Sequence, residues 1–320
     1  MANQGLLSRP LLLVIPILIG LFLTRSPYMM ANVAPSASKP WADGPIKLVA
    51  TPQYKTKKVG RPPRRRGIYL ESHAIAHHGV LTQTDIFTTG ATHMALVHNS
   101  ILRGYNSIYQ QAAHVKPADY SDFIGYCLTW HKFVVSHHDD EEETLFSAVA
   151  KVLDDKTIWE GTLKEHEAFL GGLGEFHRYL TSLASPADFS GTELLRIMST
   201  FQESFDEHFH SEISTIAALA EHPKAPKEGS AEEAETRALF KSWGKATVSK
   251  AGTLDVVPFF LLNLDGTVED GMWASWPPMP APIKWGLENL AGSWHSGWWK
   301  FSSCAGGSPR ELYALQSASN

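Results

Sequence analysis

Apolar residues recur at alternating steps of three and four along four stretches of this chain. The first stripe is Met94, His98, Ile101, Tyr105, Ile108 and Ala112; the second is Phe123, Cys127, Trp130, Val134, His137, Glu141 and Leu145. The third runs through Trp159, Leu163, His166, Leu170, Leu173, His177 and Leu180. The fourth runs through Leu194, Met198, Phe201, Phe205, His208, Glu212, Ile216 and Leu219. Such alternation is the buried stripe of an α-helix packed against other helices. It predicts an all-α fold, an antiparallel up-down-up-down four-helix bundle over residues 86–222.

Polar residues break into these stripes in an ordered way. His137/Glu141 and His208/Glu212 are His-x-x-x-Glu pairs, and residues four apart share a helix face, so each pair aims an imidazole and a carboxylate at one point. His98 and His166 sit singly on the other two stripes. A glutamate inside an apolar stripe is expensive to bury unless it is paired or bound to a metal. With alternating helix directions the start of the first and third helices meets the end of the second and fourth, which puts all four sets near one level. Four histidines and two glutamates on facing helices therefore describe a metal site in a bundle core. Imidazole with carboxylate suits iron, zinc, copper or manganese. The absence of thiolate from the set disfavours zinc of the structural kind. Six ligands exceed what one tetrahedral ion takes, which favours two ions bridged by glutamate.

His138/Glu142 repeats the pair one residue on. His137/Glu141 is preferred because it continues the 123–127–130–134 stripe, leaving His138 and Glu142 as an alternative register or as residues that orient the ligands. The acid run Asp139 to Glu143 also reads as a solvated face at its outward positions. His210, His131, His114 and His222 lie off the stripes.

The segments His98-Asn-Ser-Ile-Leu-Arg103, His137-His-Asp-Asp-Glu-Glu-Glu-Thr-Leu-Phe146, Lys164-Glu-His-Glu167 and His208-Phe-His-Ser-Glu212 resemble the hemerythrin-like (HHE cation-binding) domain over residues 91–220. The resemblance implies ligands at His98, His137, Glu141, His166, His208 and Glu212. It also implies a carboxylate-bridged pair of iron ions as cofactor, with zinc or manganese as lesser candidates, and O2 or another small molecule as ligand. One departure stands out. Oxygen-carrying members place a second histidine four residues after the third-helix ligand, and position 170 here is leucine. His177 is eleven residues beyond His166, about 16 Å along a helix axis, too far to replace it. The expectation is a centre with an open coordination position beside Leu170. Two function classes follow: a protein that binds iron and O2 or a related small ligand, and a metal-dependent oxidative tailoring enzyme acting on a small molecule, for example in a biosynthetic pathway.

The remainder of the chain adds less. With 43% hydrophobic and 19% charged residues and a net charge of −5, nothing suggests bulk nucleic-acid binding. Cys127 and Cys304 do not make a disulfide framework. Residues 10–23 form an uncharged apolar run, read as a signal or anchor within a segment 1–28 and predicting a membrane-anchored protein that faces the cytoplasm or enters the secretory pathway. Residues 29–85 read as a Pro- and base-rich linker holding the basic run 55–66 and the His73/His77/His78 cluster, and 223–236 as a second linker. Residues 237–320 hold seven of the ten tryptophans and read as an irregular Trp/Pro-rich extension that wraps the bundle.

Overall fold

The computed structural model describes residues 41–59 and 85–316. The chain divides into two units, Met1–Ala37 and Ser38–Asn320, and the first lies outside the described residues. The described residues are mostly helical. A short helix α1 (Pro52–Val59) precedes α2 (Ile86–Gln111), α3 (Tyr120–Asp140), α4 (Ser147–Leu153), α5 (Glu160–Ser182), α6 (Gly191–Ala218), α7 (Ala231–Ala251) and α8 (Val256–Leu262). Between α3 and α4 the helix widens into a π turn at Glu141–Phe146. Near the end, Cys304–Ala305 and Ser308–Pro309 form a small antiparallel hairpin.

Local chemistry sets the helix starts. Asp85 accepts from the Thr88 N–H, Ser190 from that of Glu193 and Ser230 from that of Glu233, each meeting a backbone donor that the first turn leaves free. Asp154, in the left-handed region at φ 46°, closes α4.

Four of the long helices, α2, α3, α5 and α6, close a ring: α5 packs on α6, α6 on α2, α2 on α3 and α3 on α5. Their shared interior holds Phe123, Trp130, Phe169, Phe176, Phe201 and Phe205, all buried. Each large side chain fully buried contributes roughly 1.5–3 kcal/mol.

The third stripe is rotated from its expected register. Leu163 and Leu170 are 38% and 43% exposed, whereas Thr162, His166, Phe169, Leu173, Phe176 and Leu180 are buried. That set also alternates by four and three, and it places Phe169, a larger apolar side chain than Leu170, in the core. His177 is exposed and stacks on His131 with ring centroids 4.5 Å apart.

α2 is buried on nearly every side because two remote segments cover its outer face. Asn106 accepts from the Ile46 N–H (3.0 Å) and donates to the carbonyls of Ile46 (2.7 Å) and Ala42 (3.2 Å). Asn99 clasps Val49 in the same two-way manner. Residues 41–51, within the stretch read as linker, thus lie docked on α2. From the C-terminal side, Ser100 donates to the Phe260 carbonyl and Arg103 pairs with Asp265 at 2.7 Å. The C-terminal residues also hold helix α7 where an irregular extension was expected. Gly104 marks how closely they approach: a Cβ there would lie 2.7 Å from the Phe259 ring. Cys127 and Cys304 are both free and buried.

The membrane anchor requires correction. Among the described residues no helix is long and apolar enough to cross a membrane. The apolar run 10–23, most of the basic run 55–66 and the His73/His77/His78 cluster lie outside the described residues.

Candidate metal centre

Seven buried donors from α2, α3, α5, α6 and the π turn meet inside the helical ring. His98 comes from α2, His137 and His138 from α3, Glu141 from the first position of the π turn, His166 from α5, and His208 and Glu212 from α6. They sort into two triads. In one, His98, His137 and Glu141 bring ligand atoms within 4.8 Å of each other; in the other, His138, His166 and His208 do so. A third triad, Glu141, His166 and Glu212, links the two. Glu141 therefore reaches both sides. Glu212 does as well, with Oε2 3.2 Å from His98 Nε2 and 3.8 Å from His208 Nε2.

All six expected residues come together, and His138 joins them rather than competing with His137. Adjacent residues on a helix are about 100° apart, so both can face inward when the helix is flanked by two partners. His137 turns toward His98 of α2, with ring centroids 5.3 Å apart. His138 turns toward His166 of α5 (4.4 Å) and His208 of α6 (5.0 Å). The π turn that begins at Glu141 inserts an extra residue into the helix, a feature frequent at functional sites.

His138 also changes the meaning of Leu170. That side chain points to solvent, so its leucine identity leaves no gap in the centre. Leu170 therefore does not border the centre, where an open position was expected beside it, and the third histidine within reach of His166 and His208 is His138 of α3 instead of a residue of α5. The doubled His137-His138 is the signal in the sequence for this second triad.

Hydrogen bonds from outside fix the orientation of four imidazoles. His98 Nδ1 faces the Phe209 carbonyl at 3.0 Å and His138 Nδ1 the Val134 carbonyl at 2.9 Å. His166 Nδ1 meets Glu142 Oε1 at 2.6 Å, and His208 Nδ1 meets Glu165 Oε2 at 3.3 Å. Ser211 donates to the same Glu165 oxygen at 2.6 Å. A partner on Nδ1 sets the tautomer and leaves Nε2 as the lone-pair donor pointing inward. Glu142 is 43% exposed and reaches the centre only through His166.

The donors fit a cation. His98 Nε2, both nitrogens of His137, His166 Nε2 and all four carboxylate oxygens of Glu141 and Glu212 are buried without a hydrogen-bond partner. Unmatched buried polar atoms of this kind cost roughly 1–3 kcal/mol each. Their spacing suits a shared ion. His137 Nε2 and Glu141 Oε1 are 3.1 Å apart, as are His138 Nε2 and His208 Nε2. Ligands about 2.1 Å from an ion and at right angles to each other lie ~3.0 Å apart.

Burial prepares the same groups electrostatically. It pushes the pKa values of His137 and His138 well below the ordinary histidine value, with neighbouring imidazoles adding to the effect, and that of His208 down to about 3. These rings are thus neutral and hold free lone pairs. Burial, and then the charge of Glu212, pushes Glu141 well above the usual carboxylate range. Burial also works to raise Glu212, but the adjacent His98 and His208 outweigh it and hold this carboxylate below its ordinary value. The two carboxylates are thus pushed in opposite directions, with Glu141 the one that burial favours in the protonated form.

Residues 89–220 match the family model of the hemerythrin HHE cation binding domain. Among curated proteins, the chain is similar to the "Dimeric xanthone biosynthesis cluster protein R11" of Cryptosporiopsis sp. (strain 8999). The two are 29% identical over 280 residues, covering 86% of this chain and 93% of the relative. No solved structure matches the chain.

Proposed function

We propose, from the premise that residues 89–220 form a hemerythrin-like HHE cation-binding domain, that this protein binds two iron ions bridged by Glu141 and Glu212 and presents one of them to a small ligand. Helices α2, α3, α5 and α6 are read as the antiparallel up-down-up-down bundle of that domain. The observation that carries the proposal is the pair of buried triads, His98/His137/Glu141 and His138/His166/His208, linked by the third triad Glu141/His166/Glu212. His98, His137, Glu141, His166, His208 and Glu212 are the proposed ligands, with His138 as the seventh. Glu142 is assigned to holding His166 in place.

The two sides are unequal. Three imidazoles converge on one and two on the other, so an ion on the His98/His137 side would have fewer protein donors and could take a small ligand. Iron held there supplies Lewis acidity and one-electron redox chemistry. The chain supplies the rest: five imidazoles, four of them oriented through Nδ1, two buried carboxylates, and an apolar surround of Phe169 and Phe209.

The similarity to a protein named for a xanthone biosynthesis cluster favours a second reading. In it the same centre serves an oxidative tailoring enzyme acting on a small organic molecule in a biosynthetic pathway. Elemental analysis of purified protein tests the shared premise, with about two irons per chain as the expected result; one ion, or zinc or manganese alone, refutes the di-iron assignment. Azide or nitric oxide should then shift the optical spectrum of the iron-loaded protein. An unaltered spectrum removes the open position and leaves storage as the role.

A further inference from the structure

The geometry points to α7 as the outer wall of the two-histidine side, with Trp243 as the residue that limits what reaches it. This inference rests on the two-metal reading of the centre. It concerns a helix beyond residues 89–220, so it adds to what the domain itself supplies.

The two histidines of that side come from α2 (His98) and α3 (His137), and α7 packs against both of these helices. It does so through two rings one turn apart. Phe240 stands edge-on to Phe87 with centroids 6.1 Å apart. It fits there because residue 90 is glycine: a Cβ at that position would lie 2.8 Å from the Phe240 ring. Trp243, only 7% exposed, faces His137 with ring centroids 6.1 Å apart and planes inclined by 43°.

Two bonds to one residue hold this wall shut. The Trp243 indole N–H donates to the Asp140 carbonyl at 3.2 Å, and Lys250 Nζ lies 2.7 Å from Asp140 Oδ1. Asp140 directly precedes Glu141, so α7 is fastened beside a bridging carboxylate. An aromatic guest between Trp243 and His137 needs about 7 Å, twice the ~3.5 Å contact distance. With α7 docked, the 6.1 Å between the Trp243 and His137 rings leaves no room for a ring-sized organic molecule between them, and only a smaller ligand fits that spacing.

The test compares wild-type protein with Trp243→Ala and Lys250→Ala, all as full chains, using phenol as the ring-sized probe and azide as the small one. Truncating a tryptophan opens a space near the ~150 Å³ that accommodates a benzene-sized guest. Calorimetry, which needs no metal, should detect phenol binding at least tenfold tighter in Trp243→Ala than in wild type. In the iron-loaded variant phenol should also weaken azide binding at least threefold. Lys250→Ala removes a side chain that is 60% exposed, so the fold survives even if Trp243→Ala does not. By loosening α7 it should raise phenol affinity at least threefold. Equal phenol affinity in wild type and Lys250→Ala, or phenol binding in Trp243→Ala that leaves azide affinity untouched, overturns the wall. Elemental analysis of the wild type reports separately on the two-metal reading: loss of the wall with iron present, and absence of iron with the phenol effect intact, are distinct failures.

Discussion

Replacing His138 by alanine, beside a Leu170→Ala control, separates a centre that draws two histidines from α3 from one that lacks a ligand on α5. His138 is 3% exposed, its Nδ1 is bonded to Val134, and its Nε2 lies 3.1 Å from His208 Nε2. It belongs to one triad and to neither of the others, so its removal leaves His98, His137 and Glu141 in place. The expected result is loss of one ion: iron content falls from about two per chain toward one. Loss of a partner outside the coordination sphere already weakens a metal by 10–100-fold, so loss of a ligand should exceed ~100-fold, about 2.7 kcal/mol. Leu170 is 43% exposed, and surface substitutions of this type stay within about 0.5 kcal/mol. Leu170→Ala should hold both ions, and Leu170→His should add none. Elemental analysis after dialysis against a graded chelator series gives stoichiometry and relative affinity together. Full iron retention with unchanged affinity in His138→Ala, or iron loss in Leu170→Ala, would refute the assignment.

Glu142→Gln and Glu165→Gln should each weaken iron binding roughly 10–100-fold while leaving the melting of metal-free protein nearly unchanged, because both carboxylates hold ligand histidines from partly exposed positions; unaltered chelator competition contradicts that role. Metal-free protein should lose stability as pH falls below about 6.5, where the unfolded chain protonates His137, His138 and His208 and the folded chain resists, over a window that reaches about 3 for His208. Glu141 acts in the opposite sense, since its raised value lets the folded chain bind the extra proton above the ordinary carboxylate range. Three histidines against one carboxyl leave a slope of about 3 kcal/mol per pH unit near pH 5.5, with His93 and His131 acting in the same direction as the three. Urea midpoints that do not fall between pH 7.5 and 5.5 would contradict it. Asn106→Ala removes three hydrogen bonds to residues 42–46 and should cost about 2–3 kcal/mol, exposing that segment to limited proteolysis ahead of the helices.

The helical class, the stripes of α2, α3 and α6, and the six stripe-borne donors were legible in the sequence because each depends on spacing within a single helix. A repeat of three and four says which residues share a face, and a charged residue on that face calls for a partner wherever the helix is placed. The α5 stripe shows where such reasoning stops. Two interleaved sets, one through Leu163 and Leu170 and one through Thr162 and Phe169, alternate equally well, and only the neighbours α3 and α6 decided which faced inward. His138 carries the same lesson: whether one residue of an adjacent pair or both reach the core depends on how many helices flank the pair. The cover on α2 had no local signal at all, since Asn106 meets Ile46 across sixty residues and Ser100 meets Phe260 across a hundred and sixty. Contacts of that separation come from the closing of the whole chain around a core. Repeats along one helix picked out six candidate donors, and packing between helices decided that these and His138 meet and what stands in front of them.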